Sequence, residues 1–142
     1  MSSERHTIPP IMQVPIREPA DVQVARNSAR RVASLLGFAP TSRAQISSVA
    51  ATLADMILNA DKPGIELYIH GLQSGAQNGV QITCEAPWLA ATSTENAQVA
   101  LRSKLGEMVD EIEVTRVESN VAPRLRVLLW LLPARTQSEN PG

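Results

Sequence analysis

The sequence predicts an α/β (α+β) two-layer sandwich, with helices on one face of a mixed, mostly antiparallel sheet. Three observations carry this expectation. Apolar periodicities along the chain read strand, helix, helix, strand, strand, helix, strand, strand. The chain has 142 residues, of which 44% are hydrophobic, so a single domain can bury a core without disulfides or a metal. Aromatics make up only 3%, which leaves that core to Val, Ile, Leu, Ala and Met.

Residues 1–11 are polar and proline-bearing and read as a flexible tail. Met12 to Ile16 reads as a short strand, placed at a sheet edge because Pro15 has no N–H for a ladder. Pro19 opens a helix. Val22, Ala25, Ala29, Val32, Ala33 and Leu36 then recur at helical spacing, and Gly37 stops them. Pro40-Thr41-Ser42 starts a second helix, with Thr41 or Ser42 as its N-cap. Its stripe is Ile46, Val49, Ala50, Leu53, Ile57 and Ala60, and Asp61-Lys62-Pro63-Gly64 breaks it.

Ile65 to Leu72 alternates as a strand with Ile65, Leu67 and Ile69 inward. A turn over residues 73–79, ending in Asn78-Gly79, leads to an antiparallel partner with Val80, Ile82 and Cys84 inward. Thr92 and Glu95 have capping-box spacing, and Ala97, Ala100, Leu101, Leu105, Met108 and Val109 line the helix that follows. Glu111 to Glu118 and Arg124 to Leu132 are the closing strands. The second is apolar on both faces, as a doubly buried strand or a partner interface would be. Residues 134–142 are polar and read as a second flexible tail, so the domain is expected over residues 12–133.

Charge and composition exclude several function classes. Thirteen basic and fourteen acidic side chains leave a net charge of −1, without the basic excess or aromatic platforms of a nucleic-acid binder. No apolar run is long enough for a membrane span, and the first residues hold no apolar signal core. The lone Cys84 cannot form an internal disulfide, which fits a cytoplasmic protein. His6 and His70 are distant from one another and form no metal set with Cys84. Ser47, Ser48 and Ser93 lie outside any nucleophile motif. Asp110, Glu111 and Glu113 straddle a helix–strand junction and read as solvated carboxylates.

The segment from Val22 to Phe38, VQVARNSARRVASLLGF, follows VPIREPADV. Together they resemble the first strand and first long helix of the bacterial anti-sigma and switch-protein serine-kinase branch of the GHKL (HATPase_c, Bergerat fold) superfamily, where VPIxxxxDV precedes VxxARxxAxxLAxxLGF. Gln45-Ile46 follows at the family's spacing, and the helix from Ser42 to Ala60 aligns with its second long helix without a gap. The run Leu105 to Val114, LGEMVDEIEV, is similar to the family's LPGVRRLMDEFEI, and Trp130 to its KW ending. The resemblance covers residues 12–132 and implies a Bergerat-like sandwich.

The same alignment implies that the nucleotide residues are gone. Active members carry a Glu and a Mg²⁺-coordinating Asn one turn apart, and the matching positions here are Thr52 and Met56. A thioether is a poor ligand for hard Mg²⁺. A shifted register offers Asp55 and Asn59 instead. The adenine-binding Asp-x-Gly-x-Gly falls on the turn Cys84 to Leu89, where Glu85 and Ala86 stand and no glycine does, and Trp88 occupies space the family leaves to bare backbone. The lid is shorter, with only Gly106 between Leu89 and Met108, and Ala122-Pro123-Arg124 replaces a later Gly-Thr pair. Cradle and metal supply most of the stabilisation in phosphoryl transfer.

The resemblance therefore implies a pseudo-ATPase without cofactor: an anti-sigma-factor-like transcription regulator acting by protein–protein binding. Its implied partners are a STAS-domain antagonist, a sigma factor or a phosphatase regulatory region, with a homodimer as a further option. The alternative is an active serine protein kinase that phosphorylates a STAS-type antagonist with ATP and Mg²⁺, through Asp55, Asn59 and Glu85. A third reading, a structural or oligomeric scaffold, rests on the apolar strand from Leu125 to Leu132.

Overall fold

The computed structural model describes residues 5–60, 64–116 and 122–130. The elements are β1 (Arg5–Ile16), α1 (Ala20–Leu35), α2 (Pro40–Leu58), β2 (Ile65–Ser74), β3 (Gln77–Glu85), a 3₁₀ turn (Pro87–Leu89), α3 (Thr94–Leu105), β4 (Glu111–Thr115) and β5 (Arg124–Trp130). Their order is the one the periodicities predict. The five strands form one open sheet in the order β1-β2-β3-β5-β4, and each described pairing is antiparallel.

One face of the sheet is apolar and carries the core. Val14, Ile16, Leu67, Ile69, Val80, Ile82, Cys84, Val114, Leu125, Val127 and Leu129 are buried in one cluster with Ala25, Ala29, Val32, Ile46, Val49, Leu53 and Ile57 of the helices. Small alanines on α1 let it lie close to α2, and buried Ser47 Oγ donates to Arg26 O at 3.2 Å across that contact. This is the bland role for a buried hydroxyl, which must find an acceptor.

Several boundaries differ from expectation for identifiable reasons. β1 begins at Arg5 rather than Met12, so residues 5–11, expected in a tail, belong to the sheet. A bulge between Ile8 and Ile11 takes up the Pro9-Pro10 pair, and pairing with β2 resumes on its far side. β1 is an edge strand, as Pro15 predicts. α2 starts at Pro40 behind Ala39, with no side-chain cap bond, so neither Thr41 nor Ser42 is the cap. α3 is capped by Ser93, whose Oγ accepts from Asn96 N at 3.1 Å, one residue later than the Thr92 box.

The β2–β3 turn is Gly75-Ala76, not Asn78-Gly79. Gly75 takes φ +60° there, a conformation that glycine enters without steric cost. Gly79 is needed for space instead. A Cβ on it would meet Leu129 O at 2.9 Å and the Trp130 ring at 3.0 Å. β5 lies between β3 and β4, with Leu125, Val127 and Leu129 in the core and Leu128 buried on the opposite face. The expected break at 61–63, the end of the fourth strand at 117–118, residues 131–132 and the tails at 1–4 and 134–142 lie outside the described residues.

Candidate functional site

Alternation along β3 decides whether Asp55, Asn59 and Glu85 can meet. Cys84 points to the helices, so Glu85 points away from them. The register agrees: Glu85 pairs with Arg124, two residues from Arg126 on the uncovered face. Thr52 and Met56 are half-buried on α2, and Met56 packs onto the core. Asp55 and Asn59 are exposed. Asn59 ends α2, and its N–H donates to Asp55 O at 3.1 Å. The set Asp55, Asn59 and Glu85 is therefore split between the helical layer and the opposite side of the sheet. This was legible in the alternation of Val80, Ile82 and Cys84, which fixes the face of the residue that follows.

The turn after β3 is closed by the protein's own groups. The N–H of buried Ala86 donates to Pro123 O at 2.8 Å. Arg116 Nη2 donates to three carbonyls, Leu89 at 3.3 Å, Ala90 at 2.9 Å and Thr92 at 3.1 Å. Ser93 fills the N-terminal cap of α3, and Glu95 sits in its first turn. A helix start so occupied has a donor already satisfied and a negative charge where a phosphate would sit. Trp88 is half-buried and packs against the core. Arg116 was not singled out in the sequence, where a lone basic residue near a strand end carries no signal of three distant carbonyls.

The uncovered face of the sheet holds the larger concavity. A groove of about 750 Å³ is lined by Glu66, Tyr68, His70, Thr83, Glu85 and Arg124, with Ile11 at its rim. Tyr68 Oη donates to Glu66 Oε1 at 3.0 Å, and Gln13 Nε2 donates to the same oxygen. That bond and the negative charge of Glu66 hold the Tyr68 phenol above its ordinary pKa, so it stays protonated. The Cys84 thiol is pushed up to about 12 by burial. Both shifts run against nucleophilic chemistry at neutral pH.

A polar network crosses the same face. Arg5 holds both oxygens of Glu111, at 3.1 and 2.9 Å, and its guanidinium lies 5.4 Å from the Trp130 ring centroid. This pairing is the main reason the Glu111 carboxyl lies below its ordinary pKa, although burial opposes it. Arg126 reaches Glu111, Glu113 and Gln81 at 3.4, 2.8 and 3.1 Å. Gln81 Nε2 lies 3.3 Å from His70 Nε2, and His70 Nδ1 lies 3.0 Å from Gly71 O. The two contacts are satisfied together when Nδ1 carries the proton and Nε2 accepts. Arg5 was missed because residues 5–11 read as a tail, and Glu111 and Glu113, read as solvated, are ion-paired instead.

Among the described residues, no three His, Cys, Asp or Glu side chains converge as a metal site, and no helix is long and apolar enough to cross a membrane. No protein-family model matches the chain, and no curated protein matches it.

Proposed function

We propose that this chain is an anti-sigma-factor-like regulator: a bacterial, cytoplasmic, GHKL-type scaffold that has given up nucleotide and acts through protein contacts. The observation that carries the reading is the turn after β3. Where an active member would open onto ligand, Arg116 grips three carbonyls and Ser93 caps α3. Thr52 and Met56 stand on α2 at the positions of the family's catalytic pair, and Met56 packs into the core. The layering of helices over one face of a five-stranded sheet supports the resemblance on which the partners rest. Those partners are a STAS-domain antagonist, a sigma factor or a phosphatase regulatory region, and a second copy of the chain.

The serine-kinase alternative gathers less support, because Asp55 and Asn59 are exposed on α2 while Glu85 faces away from the helices. Calorimetric titration with ATP and Mg²⁺ is the test. No saturable binding in the micromolar range is expected. Micromolar binding, lost on Asn59→Ala, would overturn the reading in favour of the kinase.

A further inference from the structure

We propose that residues 5–8 form a releasable strap on the edge of the sheet, hinged at Pro9-Pro10 and latched by Arg5, and that its release bares the backbone edge of β2 and the Trp130 ring. β1 is an edge strand, and β2 is its neighbour. The two pair in separate stretches: residues 11–16 run against residues 65–70, and residues 5–8 run against residues 71–74, with the register broken between Ile8 and Ile11. Pro9 and Pro10 stand at the break, and neither has an N–H to give to a ladder. The outer stretch can therefore part from β2 without the inner one. The two are also anchored unequally. The inner stretch buries Val14 and Ile16 in the core, whereas Arg5, His6 and Thr7 are exposed and Ile8 is half-buried.

Ile8 anchors the strap at the hinge end, in the space that Gly71 leaves. A Cβ on Gly71 would meet Ile8 Cγ1 at 2.8 Å, Ile8 O at 2.9 Å and Leu36 Cδ1 at 3.0 Å. Arg5 anchors the far end, across the uncovered face. Thr7, Leu72, Gly79 and Trp130 stand in one row over four strands of that face. Gly79 has no side chain, and an atom of the Trp130 ring lies 3.0 Å from where its Cβ would be. The ring thus leans from β5 over β3, within reach of β1. Arg5 sets its guanidinium 5.4 Å from the ring centroid and holds the Glu111 oxygens at 3.1 and 2.9 Å.

This latch opens at small cost. Arg5 and Glu111 keep 42% and 31% of their side chains exposed, so water replaces much of what the pair loses. Glu111 is not left alone on release, because Arg126 Nη1 already lies 3.4 Å from its Oε1. The carboxylate has a second cation waiting, and Arg5 passes into solvent. Salt screens an exposed pair of this kind, so rising ionic strength shifts the strap towards release.

Amide exchange in the full-length, isotope-labelled chain tests the device. Residues 5–8, and those amides of residues 71–74 that donate to them, are expected to exchange as one fast unit, ahead of residues 11–16 and 65–70. Arg5→Ala is expected to speed this unit several-fold and to move the Trp130 indole signal, with the inner stretch unchanged. About 1 M sodium chloride, where the Debye length is about 3 Å, should speed the same unit in the parent and add little in Arg5→Ala. Gly71→Ala displaces Ile8, and should open the unit from its other anchor, more than it affects residues 11–16. Exchange of residues 5–16 in step would overturn the proposal. So would an Arg5→Ala chain in which the outer stretch and the Trp130 indole behave as in the parent.

Discussion

Cys84 lies on the sheet face that carries the core, and Glu85 beside it lies on the other. Its alternation with Val80 and Ile82 puts it inward, and the structure buries it beside the helices. The folded thiol titrates near 12, against an ordinary value of 9.0. The unfolded chain therefore releases this proton first as pH rises. Above pH 9 the folded state holds more protons than the unfolded one, so stability is expected to fall between pH 9 and about 12 and to be unaffected by this group below that range. Cys84→Ala should flatten the alkaline limb of a urea-midpoint profile, at the cost of a small cavity. An unchanged limb would mean that the thiol is not the group responsible. Glu85, one residue on, lies on the opposite face of the sheet and pairs with Arg124.

Among the elements, the connection from β3 to α3 is where the local pattern was least informative. Capping spacing pointed to Thr92, but Ser93 is the cap, and the Thr92 carbonyl accepts from Arg116. Arg116→Met keeps the apolar stem and loses the three donated bonds. The residue is exposed, so water recovers much of the loss, and a cost of about 1 kcal/mol is expected by urea denaturation. Faster amide exchange at residues 92–94, without change in α1 and α2, should accompany it. An equal acceleration in α1 would show that Arg116 supports the whole core and not this turn. Asn78-Gly79 is a parallel case: a strong turn signal by sequence, used here as a strand position where Gly79 admits the β5 backbone.

At the scale of the whole molecule, the two ends of the sheet's polar network meet through Arg5 and Glu111. These residues are far apart in sequence, and β1 and β4 are the two edges. Leu72 and Leu128, which alternate onto that face, are buried. Arg5 holds the Glu111 carboxyl below its ordinary pKa, so the stabilisation is present above that ordinary value and is lost as pH falls through the lowered one. Glu111→Gln is expected to lower stability slightly at neutral pH, since a partly exposed pair contributes little, and to remove part of the acid sensitivity below about pH 4. A variant with the same acid profile as the parent would place the titrating group elsewhere.

The helices, the strands and their order were legible in the apolar pattern, because periodicities of 3.6 and 2 are local properties of a half-buried segment. The rest depends on tertiary contact: residues 5–11 are strand, Arg116 bonds three carbonyls of the turn before α3, and Gln98 of α3 accepts from the Val114 N–H of β4. Each of these depends on pairing between distant parts of the chain. Register and shared face are fixed when strands meet, and a short window of sequence carries the energy of neither.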